Sequence, residues 1–168
     1  MTSQHARRRW SAFLALAVGV VVSDQLTKQW IDANVTVGAP IPVVGDMVRV
    51  VKTYNTGGIF GLFGDSALPL ALASLLVIGL ILLYQARQGL RSHWLLTVAL
   101  GLLLGGALGN LIDRLRLGAV IDFVDLGIGE LRWYTFNVAD AAISTAIVLL
   151  VVITLLGDRL PAPALGTS

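Results

Sequence analysis

The apolar residues of the chain gather in four long blocks that are separated by polar segments. A helix needs roughly 20 mostly apolar residues to span a bilayer, and the last three blocks reach that length without interruption. The first block spans only if its helix continues through Asp24, Gln25 and Lys28, which brings these polar side chains into or near the lipid. The predicted spans are residues 10–31, 67–84, 94–112 and 138–156. The pattern predicts an all-α membrane protein in which residues 1–168 form a single integral membrane domain.

Composition supports this class. The 168 residues are 56% hydrophobic and only 13% charged, whereas a soluble domain of this size needs more polar surface. The basic start at Arg7–Arg9 and the short first apolar block are also features of a secretory signal peptide. Residues 20–23, Val-Val-Val-Ser, offer no small-x-small cleavage site, so we interpret the block as a retained span.

Lysine and arginine in the short segments predict the orientation. Arg7–Arg9 precede the first span, and Arg87 and Arg91 lie between the second and third spans without an acid nearby. The segments 34–66 and 113–137 carry charges of both signs. Because positive charge favours the cytoplasmic side, both termini are expected inside (N-in/C-in), with these two longer loops outside.

The two outer loops differ in composition. The first contains the β-branched, partly alternating stretch 47–54, which predicts short strands, and several glycines that predict turns. The second ends in Trp133, Tyr134 and Phe136, a composition typical of the membrane interface.

Unusual polar residues of three spans converge on one predicted level at the outer side. Asp24 and Lys28 lie toward the end of the first span, and Asp140 opens the fourth. Asp122 lies just before the fourth span, in Val-Ile-Asp-Phe-Val. The third span ends in Asn110, Asp113 and Arg114. Ionisable residues near lipid are costly and indicate a functional site, and two close carboxylates suggest a pair that shares a proton, as in hydrolytic enzymes.

Each of these features also has a structural interpretation. Asp24 and Lys28 are four residues apart and can form an ion pair that holds the bundle together. Asn137 and Asp140 have the spacing of a helix cap. Asn110, Asp113 and Arg114 share one helix face and can form a buried hydrogen-bond network. We expect Arg116, Asp125, Glu130 and Arg132 to be solvated loop charges.

Other classes of site are less favoured. The chain has no cysteine, which excludes disulfides and thiolate chemistry, and its net charge of +2 forms no basic patch for nucleic acid. The Asp122-x-x-Asp125 spacing is a weak metal motif, and both histidines lie on the predicted cytoplasmic side, so no metal or cofactor is expected. The glycines of the third span, Gly101, Gly105, Gly106 and Gly109, are typical of a close helix-packing face.

With these residues the sequence resembles the lipoprotein signal peptidases, also called signal peptidase II. The matching motifs follow the family's order and extend over about residues 24–143. They are Asp24–Lys28 (DQLTK), Asn55–Phe60 (NTGGIF), Gly106–Arg114 (GALGNLIDR) with Gly118–Phe123 (GAVIDF), and Phe136–Asp140 (FNVAD). The family usually has Ala-Ala where this chain has Gly58-Ile59, a departure that affects the expected wall of the substrate groove.

The resemblance implies an aspartyl endopeptidase of the bacterial cytoplasmic (inner) membrane, with its active site at the outer face. Its substrates would be diacylglyceryl-modified prolipoproteins, cut just before the lipidated cysteine. Asp122 and Asp140 match the catalytic pair. The positions that match supporting or substrate-lining residues are Asp24, Lys28, Asn55, Gly57, Gly109, Asn110, Asp113, Arg114 and Asn137.

The resemblance also implies a small extracytoplasmic β-cradle in the first outer loop and a flap in the second. It further implies a monomer in contact with membrane lipid and inhibition by the cyclic-peptide antibiotics that act on the family. From the residues alone, a small proton or ion transporter is the main alternative. A head-group transferase, which would need several aspartates on one helix, and a non-catalytic scaffold are further alternatives.

Overall fold

The computed structural model describes residues 3–56, 67–88 and 94–156. The helices are α1 (Ser3–Asn34), α2 (Leu68–Gln88), α3 (Trp94–Leu117) and α4 (Val138–Leu156). The strands are β1 (Ile41–Val44), β2 (Val48–Asn55), β3 (Val120–Ile128) and β4 (Leu131–Arg132). The predicted residues Gly57, Gly58, Ile59 and Phe60 lie outside the described ranges.

All four helices are long and apolar enough to cross a bilayer, so the prediction of four spans is confirmed for a multi-pass membrane protein. Leucines along α2 such as Leu72 and Leu76 are largely exposed, as expected of a surface that faces lipid. Helix α3 continues to Leu117, and Asp113 and Arg114 therefore lie within the helix rather than in a loop.

Helix α3 is at the centre of the bundle and packs against the other three helices. Its glycines permit this close approach: a Cβ on Gly105 would lie 2.8 Å from the backbone oxygen of Ala17, and one on Gly109 would lie 2.7 Å from Oδ2 of Asp24. The predicted packing role of the glycines is thus confirmed. Gly118, with φ of 68°, ends α3 and turns the chain into β3.

A four-stranded antiparallel sheet in the order β1-β2-β3-β4 accompanies the helices. The prediction placed strands only in the first outer loop, whereas β3 and β4 come from the second loop, where a flap was expected. The all-α description is therefore too simple. The segment 120–128 extends β2 into a larger sheet through backbone pairs that include Thr53 with Asp122 and Asn55 with Val120.

One face of this sheet packs on the end of α1. Ile31 of the helix and Val35, which directly follows the helix, form a buried cluster with Ile121 and Phe123 of β3. Because side chains alternate along a strand, this packing directs Asp122 to the opposite face. The sheet thereby brings Asp122 and Asn55 next to the first turn of α4.

Candidate active site

Asp122 is buried, with 3% of its surface exposed, and two neutral amides bind its carboxylate. Asn137 donates to Oδ1 at 2.7 Å, and Asn55 donates to Oδ2 at 3.1 Å. On β2, Thr53 pairs with Asp122, and Asn55 lies two residues further along the strand. The side chains of Asn55 and Asp122 are therefore on the same face of the sheet. The described contacts of this carboxylate are hydrogen bonds from uncharged groups.

Asp140 and Asn137 cap α4 reciprocally. The Asp140 amide donates to Oδ1 of Asn137 at 2.9 Å, and the Asn137 amide donates to Oδ2 of Asp140 at 3.3 Å. The capping interpretation is therefore confirmed. The other oxygen, Oδ1 of Asp140, accepts from Asn110 at 2.7 Å. Capping and membership of the polar cluster are thus combined in the same two residues.

Asn110 and Asn137 connect the two carboxylates. Oδ1 of Asn110 accepts hydrogen bonds from Asn137 at 3.2 Å and from Lys28 at 3.0 Å. Because an amide oxygen only accepts, these two donors fix the side-chain orientation of Asn110 and turn its NH₂ group toward Asp140. Asn137 similarly uses its NH₂ group for Asp122 and its oxygen for the Asp140 amide.

A buried ion-paired cluster of Asp24, Lys28 and Asp113 adjoins the Asn110 side chain. Lys28 Nζ lies 2.8 Å from Oδ2 of Asp24 and 2.9 Å from Oδ2 of Asp113, and all three side chains are at most 4% exposed. With the contact to Asn110, the three ammonium protons have three acceptors. Asp24 also accepts from the Ala139 amide at 2.9 Å, which ties α1 to the first turn of α4. The predicted Asp24–Lys28 pair is confirmed.

The pKa of Asp122 is raised to about 6. Burial is the largest cause, and the negative charge of Asp140 is the second. Hydrogen bonds from Asn55 and Asn137 and the charge of Lys28 act in the opposite direction. A carboxyl group of this kind can carry a proton near neutral pH, which an ordinary aspartate does not.

The arrangement brings eight of the predicted residues into one connected network: Asp24, Lys28, Asn55, Asn110, Asp113, Asp122, Asn137 and Asp140. Gly109 contributes its backbone oxygen, which accepts from Gln25 at 3.2 Å. Arg114 donates to the Asn110 backbone oxygen at 3.4 Å, and its buried Nε has no hydrogen-bond partner among the described residues. Gly57 lies outside the described residues.

The sequence interpretation gave no role to Gln25, although its amide donates to Asp24, Asp113 and the Gly109 oxygen. A polar side chain in an apolar helix was the available signal, because the same argument had singled out Asp24 and Lys28.

The expectation for Asp125 and Arg132 as solvated charges is wrong. Asp125 is 5% exposed, and its Oδ2 lies 2.8 Å from both Arg49 and Arg132. The two arginines hold the pKa of this carboxyl below its usual range, the hydrogen bond from Arg132 having the largest effect. Among the other members of that group, Arg116 and Glu130 are exposed.

The fold and the site define a class: a four-span membrane protein with two carboxyl groups in a buried amide network, an arrangement suited to acid–base hydrolysis without a thiol. The family model for signal peptidase (SPase) II matches residues 16–156, and the chain belongs to this peptidase family.

Individual relatives agree. The lipoprotein signal peptidase of Moorella thermoacetica is 41% identical over 138 residues, which cover 82% of this chain and 89% of that protein. The lipoprotein signal peptidase of Geobacter sulfurreducens is 38% identical over 154 residues, 90% of this chain and 96% of that protein. A solved bacterial membrane enzyme superposes with a TM-score of 0.78 at 27% identity over 89% of this chain and 90% of its own.

Proposed function

We propose that this protein is a lipoprotein signal peptidase in which Asp122 and Asp140 are the catalytic pair. It cuts diacylglyceryl-modified prolipoproteins just before the lipidated cysteine and releases the signal peptide. The observation that carries the proposal is the raised pKa of Asp122, with the charge of Asp140 as its second cause, within an amide network that contains no cation bound to either carboxylate among its described contacts.

The chemistry requires one proton between the two carboxyl groups. The ionised member accepts a proton from a water molecule, whose oxygen attacks the carbonyl carbon of the peptide bond. The protonated member donates a hydrogen bond, and then its proton, to the developing oxyanion. As the tetrahedral intermediate collapses and its C–N bond breaks, the first carboxyl group gives the nitrogen the proton that it took from water, and the other carboxylate takes back one hydroxyl proton. The new amino group then leaves on the cysteine, and the pair again shares one proton. Because the pair titrates as a unit, neither residue has a fixed role as acid or base.

The supporting residues have separate tasks in this proposal. Asn55, Asn110 and Asn137 orient the carboxyl groups by uncharged hydrogen bonds, which leaves the pair free to exchange a proton. The guanidinium of Arg114 lies within electrostatic range of Asp122 and Asp140. Since its buried Nε has no partner among the described residues, we assign Arg114 to the substrate backbone.

The location follows the distribution of charge. Arg7–Arg9 near the start of α1 and Arg87 at the end of α2 favour a cytoplasmic position for these helix ends. The site then lies at the outer face of the bacterial cytoplasmic membrane, where the acyl chains of the substrate stay in the bilayer. We also propose that the enzyme is a monomer. We expect the cyclic-peptide antibiotics that act on the family to inhibit it.

A cleavage assay tests the proposal. Purified protein is incubated with a diacylglyceryl-modified prolipoprotein or its unlipidated form, and products are separated by gel shift. We expect wild type to cut only the lipidated substrate. Asp122→Asn and Asp140→Asn should each lose about 1,000-fold or more in rate, since general acid–base catalysis contributes up to about 10⁴-fold.

The matched control is Asp32→Asn. This carboxylate is 46% exposed, pairs with Lys52 and lies outside the amide network. It should leave cleavage within about twofold of wild type, since exposed ion pairs contribute little. Each variant must retain the thermal transition expected of a folded membrane protein. Normal cleavage by either Asn variant would refute the assigned pair, and equal cleavage of unlipidated substrate would refute the substrate. If wild type cuts neither, proton flux in liposomes tests the transporter alternative.

A further inference from the structure

The end of the sheet farthest from the catalytic pair exposes a compact set of large apolar side chains. We call this set the apolar tip. Two turns form it, between β1 and β2 and between β3 and β4. Its members are Val43, Val44, Met47, Ile128 and Leu131, all of which are more than half exposed. Leu131 is 83% exposed, more than any other large apolar side chain in the described part of the chain.

The tip is a fixed feature because polar contacts join its two turns. Asp46, in the first turn, accepts from the Gly129 amide of the second at 2.9 Å, and its backbone oxygen accepts from Arg132 at 2.7 Å. The Gly127 amide also donates to the Met47 oxygen at 3.0 Å. The apolar side chains are therefore presented together by a braced backbone rather than by two independent loops.

The charge within the first turn of the tip is paired: Asp46 lies 3.2 Å from Arg49 and 3.5 Å from Arg132. Arg49, Asp125 and Arg132 form ion pairs one or more residues further into the strands. Lys52 and Asp32 pair still closer to the helix bundle. Trp133 and Tyr134, which follow β4, are exposed at 73% and 63%. Apolar side chains flanked by exposed Trp and Tyr rings and by paired charges are typical of a membrane–water interface.

The apolar surface is continuous along the chain with the surface that faces lipid. Leu26 and Trp30 are exposed on the outer half of α1, and Val37 and Ile41 continue this exposure into β1. Neighbouring exposed apolar side chains of this kind mark a surface for a membrane or for another protein. Because it extends from a membrane-spanning helix, the bilayer is the partner that its position favours.

We propose that the apolar tip inserts into the lipid leaflet next to the active site, so that the sheet lies against the membrane rather than projecting from it. The inserted groups are the apolar side chains of the tip, and the charged Asp46 and Glu130 at the two turns remain among the lipid head groups. The partner is the acyl-chain region of the bilayer, and the two alternatives are a second copy of this chain and a soluble protein segment.

The absence of cysteine makes a direct test available. Leu131→Cys and Val44→Cys are labelled with an environment-sensitive fluorophore and reconstituted into nanodiscs that hold one copy each. Leu76→Cys, on the exposed face of α2, is the lipid-facing control. Gln4→Cys, exposed near the start of α1, is the water-facing control. Quenching by spin-labelled lipid and by aqueous iodide is measured for all four, and each labelled protein must keep the wild-type thermal transition.

We expect both tip probes to match the Leu76 probe, with blue-shifted emission, quenching by the lipid label and protection from iodide. Tip probes that behave like the Gln4 probe would overturn the proposal, because the tip would then lie in water. Tip probes protected from both quenchers would also overturn it, because protein rather than lipid would cover them. If Leu131→Cys does not fold, Ile128→Cys replaces it on the other side of the same turn. The outcome is independent of catalysis, so it does not depend on the proposed function.

Discussion

Asp122 and Asp125 lie three residues apart on the same strand and are only 3% and 5% exposed, but their electrostatic environments are opposite. Two uncharged amides bind Asp122, and its pKa is raised to about 6. Two guanidinium groups bind Asp125, and its pKa is lowered. Low solvent exposure alone therefore does not distinguish Asp122, the proposed catalytic carboxylate, from Asp125. The charge of the hydrogen-bond donors distinguishes the two carboxylates, because a carboxylate with a bound cation is held in its ionised form.

The Lys28 cluster extends this comparison, since its two aspartates are also buried and bind a cation. Lys28→Met should produce the largest loss of stability, about 3–5 kcal/mol, because it leaves two buried carboxylates without their counter-charge. Lys52→Met is the matched control: its pair with Asp32 is as short, at 2.6 Å, but Asp32 is 46% exposed. We expect a much smaller loss of stability there, because solvent screens an exposed ion pair. Thermal unfolding in detergent measures both, and equal losses would contradict the structural role of the cluster.

Asp122→Asn should remove activity and increase stability. Keeping Asp122 ionised in its buried position costs up to about 3 kcal/mol at neutral pH, at 1.36 kcal/mol for each unit of pKa above the ordinary value. This cost is absent below pH about 4, where the group is protonated in both states, and complete above pH about 6. The melting temperature of the variant should thus exceed that of wild type at pH 7, and the two should converge at pH 4. A lower melting temperature at pH 7 would contradict the raised pKa.

The sequence predicted the parts of the site that depend on local spacing. Asp24 with Lys28, and Asn137 with Asp140, are separated by one helical turn, so pairing and capping follow from helix geometry alone. The four spans could also be predicted from the sequence, because the length of an apolar stretch is a property of each segment alone. The sequence pattern left structural and functional interpretations of Asn137 and Asp140 as alternatives, yet the structure combines capping with membership of the site network.

The parts that the sequence did not predict depend on distant partners. Asp125 lies opposite Arg49, 76 residues earlier, and only the register of β2 against β3 makes them neighbours. Gln25 reaches Asp113 across 88 residues. A charged residue in an outer loop has the same local pattern whether it is solvated or paired, and β3 was missed because its pairing partner lies in the other loop.

Asp125→Asn should lower stability by about 1–3 kcal/mol, between the values for exposed and buried pairs, because Arg49 and Arg132 keep some access to water. Since the pKa of Asp125 is lowered, its stabilisation is present above pH about 4 and is lost as the pH falls further. Wild type and variant should therefore unfold alike in acid and differ at pH 7. Cleavage per folded molecule should remain within about threefold of wild type, because the described contacts of Asp125 with Arg49 and Arg132 do not include Asp122 or Asp140, the proposed catalytic pair. A larger loss of rate in fully folded protein would assign Asp125 to the active site.

Asn55→Ala should have the smallest effect, a change in pH dependence. The Asn55 hydrogen bond lowers the pKa of Asp122, so its removal should raise that pKa. In the proposed mechanism, the Asp122–Asp140 pair loses its shared proton as the pH rises. The alkaline limb of kcat/KM should thus move to higher pH, which a series of cleavage assays measures. Tyr54→Phe, on the same strand but bonded to Asp32, should leave the limb in place. A shift to lower pH in Asn55→Ala would show that this amide does not stabilise the ionised form of Asp122.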